Sequence, residues 1–174
     1  MTDPNQVRPE DLRYRLATPG DREPLAAALW SYLKQEREAG SLITVVPRNW
    51  GAYWDLAWSY LQGSLFGVVG TGWHGPNLVS CTVIGEDWNG PRFETDEGKV
   101  AFCWLVWVHP DYRRLGAATA MLQSVENHLL DMGFAVGRTT TREGNAGAQG
   151  LAMGYGSKLV ESVWQRSLTR QEKP

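Results

Sequence analysis

Cysteine is almost missing from this chain, with only Cys81 and Cys103 among 174 residues. Two thiols exclude a disulfide framework. Both lie in apolar runs, so they are expected to be buried and reduced, as in a cytoplasmic protein. No apolar run approaches the roughly 20 residues of a membrane span. The first fifteen residues, MTDPNQVRPEDLRYR, have no apolar core behind a basic start, so no secretory leader is expected there. Neither sign of charge dominates: the net charge is −2, which gives no general attraction to nucleic acid or to an anionic membrane. No grouping of Cys, His and carboxylates has metal-ligand spacing. G-x-S-x-G is absent, and Gly67, Gly70 and Gly72 lack the Lys-Ser/Thr ending of a nucleotide P-loop. No segment repeats and none is of low complexity, so residues 1–174 are expected to form a single domain with polar termini.

What is present suits such a domain. Hydrophobic residues make up 43% of the chain and charged residues 21%, enough for a core of its own. Nine tryptophans are unusual; surfaces so large need a core, a pocket or a partner.

The patterning predicts a strand at Arg13–Ala17, a turn at Thr18–Asp21, and a helix over Arg22–Ala39 with Leu25, Leu29, Tyr32 and Leu33 on one face. Ser41–Asn49 reads as an extended loop, Trp50–Gln62 as a second helix, Leu65–Gly70 as a strand and Thr71–Pro76 as a glycine-rich turn. Asn77–Glu86 is rich in β-branched residues and reads as a strand. Asp87–Lys99 is a polar loop, and Val100–Val108 is apolar throughout, as in a strand covered on both faces. A long helix over Leu115–Met132, a strand over Phe134–Thr141, a short helix over Asn145–Gly154 and a closing strand over Lys158–Leu168 complete the order β-α-α-β-β-β-α-β-α-β.

The most informative stretch is VAFCWLVWVHPDYRRLGAAT, Val100 to Thr119. An apolar strand ends at His109-Pro110, a short turn follows, and Arg113-Arg114-Leu115-Gly116-Ala117-Ala118-Thr119 opens a helix. Such a turn leaves backbone N–H groups without partners at the positive end of a helix dipole, which suits a pyrophosphate. Gly116 and Ala118 are small enough to let phosphate oxygens reach the backbone, and Arg113 and Arg114 add charge.

The pattern Arg113-x-x-Gly116-x-Ala118 behind Val108-x-Pro110 resembles the acyl-CoA-binding motif of the GNAT N-acetyltransferase family, and the element order resembles that family's topology from first strand to last. The resemblance implies an α/β (α+β) fold: a mixed, mostly antiparallel sheet flanked by helices, with a splayed central strand pair that binds acyl-CoA. It implies that the loop from Arg113 through Leu115, Ala117 and Thr119 cradles the CoA pyrophosphate. It also implies that backbone groups of Val106, Trp107 and Val108 pair with the acyl and pantetheine amides, one N–H stabilising the oxyanion. Asn145 falls where the family carries an Asn that meets the pantetheine arm or caps the next helix. Ala148 and Leu151 also match. The family's tyrosine, the general acid for the departing thiolate, aligns to Ala152; Tyr155, three residues later, is the candidate for that catalytic role if a shortened helix brings it to the sulfur, the alternative being that it packs in the fold. A thiol of pKa near 8.5 can also leave without a strong acid.

Acetyl transfer to an amine needs a group that takes the amine's proton. Glu86 is the first candidate, with Asp87, Glu94, Asp96 and Glu97 in the following loop as alternatives. His109 sits in the turn entering the pyrophosphate loop, beyond the acyl end, while His74 and His128 are expected to be exposed. Trp50, Trp54 and Trp58, four apart on one helix face, read either as core packing or as an aromatic acceptor wall. The expected function is transfer of acetyl from acetyl-CoA to a primary amine of a small molecule or peptide, by direct attack in a ternary complex and without a metal. A non-catalytic acyl-CoA-binding module and an acyltransferase acting on a macromolecule are the alternatives. A homodimer is compatible with the many aromatics.

Overall fold

The computed structural model describes residues 7–38, 47–62, 68–86, 94–95, 98–141 and 144–155. They form strands β1 (Arg13–Leu16), β2 (Val68–His74), β3 (Asn77–Glu86), β4 (Glu94–Thr95), β5 (Gly98–Val108) and β6 (Phe134–Thr139). The helices are α1 (Arg22–Glu38), α2 (Trp50–Leu61), α3 (Ala117–Asp131) and α4 (Ala146–Gly154). All six strands share one sheet. β1, β2, β3 and β5 pair antiparallel in that order, and β4 pairs antiparallel with the start of β5. β6 runs parallel to β5 on its other edge, the connection being made by α3. This is the mixed, mostly antiparallel sheet flanked by helices that the family resemblance implied.

Two apolar layers hold it. On one face Leu25, Ala26 and Ala28 of α1 and Trp54 of α2 meet Cys81, Val83, Leu105 and Trp107 of the sheet. Arg22 pairs with Asp55 and ties the two helices together. On the other face Met121 and Val125 of α3 are fully buried, Val125 packing with Val68, Ile84, Ala101 and Phe134. Burial pushes the Cys81 thiol up to about 12 and also raises Cys103.

The glycine-rich stretch after Val69 departs from expectation. Thr71–His74 continue β2, and the turn is confined to Gly75–Pro76. The glycines are there for close packing: a Cβ on Gly70 would lie 2.7 Å from Val125 of α3, and one on Gly72 would lie 2.3 Å from the Ser80 hydroxyl. Glycine inside a strand signals close approach as well as a turn. The closing strand over 158–168, most of the loop over 41–49 and the start of the strand expected at 65–70 lie outside the described residues.

Candidate active site

The site begins where β6 leaves β5. The parallel pairing runs from Lys99 opposite Phe134 to Cys103 opposite Thr139 and stops there. β5 continues through Trp104–Val108 paired, among the described residues, with β3 alone. At the same point the register against β3 slips, Val83 facing Leu105 and Ile84 facing Cys103, so Trp104 is an extra residue in a bulge. A bulge bends its strand, and here it coincides with the parting of the two strands. The His109 N–H bonds the Val79 carbonyl at 2.8 Å, which fixes the phase of the ladder. By the alternation of an antiparallel pair, Trp107 exchanges bonds with Cys81, while Val106 and Val108 turn their N–H and C=O toward the opened edge. Of the three residues expected to offer backbone groups, two face that edge and Trp107 faces β3.

Past Val108 the chain makes a turn at Pro110–Tyr112. Arg113 is extended, Arg114 has φ 63° and Gly116 φ 78°. Left-handed backbone at a non-glycine residue costs about 1–2 kcal/mol, and such strain concentrates at functional sites. These two residues delay the helix, so α3 starts at Ala117, two residues later than the sequence indicates. Gly116 supplies no capping side chain, and Ala120 is the first residue whose N–H reaches back, to Gly116. Among the described residues the N–H groups of Ala117, Ala118 and Thr119 are therefore left over at the positive end of a fifteen-residue helix. Ala117 is buried against Val79, and Leu115 packs on the same cluster.

The two arginines differ. Arg113 donates from Nε to the Val108 carbonyl at 3.1 Å and from Nη2 to Gln35 of α1. Arg114 is exposed and has no hydrogen bond or ion pair to any described residue. The loop is braced on its other side by Tyr112, whose hydroxyl lies 2.9 Å from His74 Nδ1. His74, expected to be exposed, is thus partly buried at the end of β2, whereas His128 is exposed. The His109 ring stands edge-on to Trp107 and to Tyr112, and its Nδ1 accepts from the Asp111 N–H.

The remaining candidates are spread out. Asn145 caps α4, its Oδ1 accepting from the Ala148 N–H at 3.1 Å. Tyr155 ends α4 and donates its hydroxyl to Glu126 of α3 at 2.9 Å. Burial first, and Glu126 second, push the Tyr155 phenol up to about 12. Glu126 lies about 14 Å along α3 from its first residue. Glu86 ends β3 half-buried opposite Ala101, about 15 Å along β5 from Val106, so the structure does not bring Glu86 and Val106 together. Asp87, Asp96 and Glu97 lie outside the described residues, and the backbone of Glu94 pairs with Lys99. Trp54 is buried, with Trp50 stacked on it at 6.1 Å and Trp58 tilted against it at 5.5 Å. This row packs α2 into the core, so the core reading of its spacing holds for Trp54. Gln35, His74, Tyr112 and Glu126 carry no signal in the sequence; their roles depend on partners far along the chain.

Among the described residues no helix is long and apolar enough to cross a membrane, and no group of three or more His, Cys, Asp or Glu could hold a metal ion.

The comparisons with known proteins agree with this geometry. No curated protein matches the sequence. A predicted acetyltransferase from Clostridium acetobutylicum, solved with acetyl-CoA, superposes with a TM-score of 0.69 at 15% identity, covering 90% of this chain and 96% of its own. The aminoglycoside 6′-N-acetyltransferase of Acinetobacter haemolyticus gives 0.65 at 12% identity, covering 91% and 99%. An aminoglycoside acetyltransferase from an uncultured soil sample, in complex with sisomicin, gives 0.64 at 12% identity, covering 93% and 98%. At these identities the likeness shows the fold. The acetyltransferase (GNAT) family model matches residues 27–156, most of the sheet, the bare start of α3 and the parted strands included, and the chain belongs to that family.

Proposed function

We propose that this protein transfers the acetyl group of acetyl-CoA to a primary amine on a small molecule or peptide. The observation that carries the reading is the start of α3: three unfilled N–H groups, a left-handed glycine and an unpaired Arg114 beside the opened edge of β5. A pyrophosphate would fill those donors, and the arm that follows would reach the backbone groups of Val106 and Val108. The thioester carbonyl would lie near that edge, where an N–H can stabilise the oxyanion. The neutral amine attacks the carbonyl carbon, its proton passes to a base, and the tetrahedral intermediate collapses to amide and CoA thiolate.

Direct attack is favoured because burial raises both thiols, Cys81 and Cys103, which makes poor nucleophiles of them. For the base we keep Glu86, reached along a chain of several waters, because a single water cannot span its distance from Val106. For thiolate departure we assign no tyrosine: Tyr155 already gives its hydrogen to Glu126, and its role is to hold α4 against α3. Asn145 is proposed to order the start of α4 beside the pantetheine arm. The aminoglycoside enzymes among the structural neighbours make aminoglycosides natural members of an amine panel.

Ala152 at the family's tyrosine position, together with the engaged Tyr155, favours one further reading, a non-catalytic acyl-CoA-binding module. Calorimetric titration with acetyl-CoA, followed by thiol release across a panel of amines and peptides, separates the two. Amine-dependent release supports the transferase. Tight binding with no release from any amine supports the module, and absence of binding overturns both.

A further inference from the structure

Arg113 and Gln35 are 78 positions apart in sequence and meet through their side chains. Gln35 stands on α1, where its Nε2 donates to the Ser31 hydroxyl one turn earlier at 3.1 Å. That bond orients the amide so that its oxygen faces Arg113 Nη2. The other end of the guanidinium, Nε, covers the Val108 carbonyl. A guanidinium is planar and rigid, so fixing both ends fixes its plane. The covered carbonyl matters because it points toward the opened edge of β5. An uncovered carbonyl oxygen there would repel the oxygens of an anion seated at the start of α3.

We propose that Gln35 is a positioning residue for the acyl-CoA site. It holds Arg113 over the Val108 carbonyl, so that a bound pyrophosphate meets donors only. Arg113 is then a strut between strand, loop and α1, while Arg114 and the helix N–H groups meet the phosphate. The inference rests on the acetyl-CoA reading above.

The test is calorimetric titration of the full chain with acetyl-CoA. Failure of the unaltered protein to bind overturns the acetyl-CoA reading; the strut is judged on variants of a protein that binds. Gln35→Leu should weaken binding about three- to tenfold, in line with the loss of one charge-assisted hydrogen bond. Gln35→Glu restores an acceptor and should bind within about twofold of the unaltered protein. In a double-mutant cycle Gln35→Leu should add nothing to Arg113→Leu, because Gln35 acts only through Arg113. A merely structural role for Gln35 would give neither the rescue nor the non-additivity. The proposal is overturned if Gln35→Leu binds as the unaltered protein does, if Gln35→Glu fails to rescue, or if the two leucine effects multiply.

Discussion

Two of the turns that join a strand to a helix, each with an arginine close by, are finished in opposite ways. Between β1 and α1 the chain closes on itself. The Thr18 N–H and hydroxyl both donate to the Asp21 carboxylate at 2.6 and 2.9 Å, the Asp21 N–H returns to the Thr18 carbonyl, and Arg15 grips Asp21 through both guanidinium nitrogens at 2.6 and 2.7 Å. Asp21 is 4% exposed and every partner is internal. Between β5 and α3 the cap is a glycine without a side chain, and among the described residues three N–H groups are left over and the strained Arg114 has no partner. Satisfied valences make a fastener and unsatisfied ones make a receptor. The contrast supports the proposed place of the CoA pyrophosphate at the open turn.

Filling the open turn with its own anion should break this contrast most severely. Gly116→Glu places a carboxylate where phosphate is expected and forces a side chain into left-handed backbone. Acetyl-CoA affinity should fall about 100-fold or more; unchanged affinity in a titration would sink the loop assignment.

Opening the closed turn should hurt stability and leave recognition alone. The Arg15 hydrogen bonds hold the Asp21 carboxyl near 2, against 3.8 for the free group. A lowered carboxylate contributes stability that is present above about pH 4 and is lost as pH falls through about 2. Asp21→Asn should cost about 1–2 kcal/mol at pH 7, allowing for the solvent around Arg15, and should remove that acid-dependent part. Urea melts at pH 7 and pH 3 measure both effects, and equal losses at the two pH values would refute the assignment.

Removing only the unpaired charge of the open turn should be milder. Arg114→Ala should weaken acetyl-CoA binding about three- to tenfold and flatten its dependence on salt, as titrations at two ionic strengths would register. The smallest effect is expected far from both turns. Tyr155→Phe should change amine-dependent thiol release less than about threefold, with an unaltered alkaline limb of the pH profile. A loss on the scale of general acid catalysis, about 100-fold, would return Tyr155 to the acid role.

The sequence was most legible where local rules decide. β3 has the bounds that its β-branched run predicts, α1 and α2 end within a residue of expectation, and the motif from Val108 to Thr119 marks the bare helix start. It was least legible where distant partners decide. The glycines of β2 look like a turn until Val125 and Ser80 are seen lying against them. Arg113 shows no sign in the sequence that its guanidinium meets Gln35 of α1. Tyr155 shows no sign in the sequence that its hydroxyl meets Glu126 of α3. No local pattern encodes such contacts, because the fold makes them between residues dozens of positions apart.

The bare start of α3 also bears on how long the folded chain lasts. A ligand that binds only the folded form adds stability as the logarithm of its concentration over its dissociation constant. If acyl-CoA binds as proposed, the anion seated on those three N–H groups does more than present a thioester. It completes the helix that buries Met121 and Val125, and resistance to heat and proteolysis should rise and fall with the acyl-CoA supply around the protein.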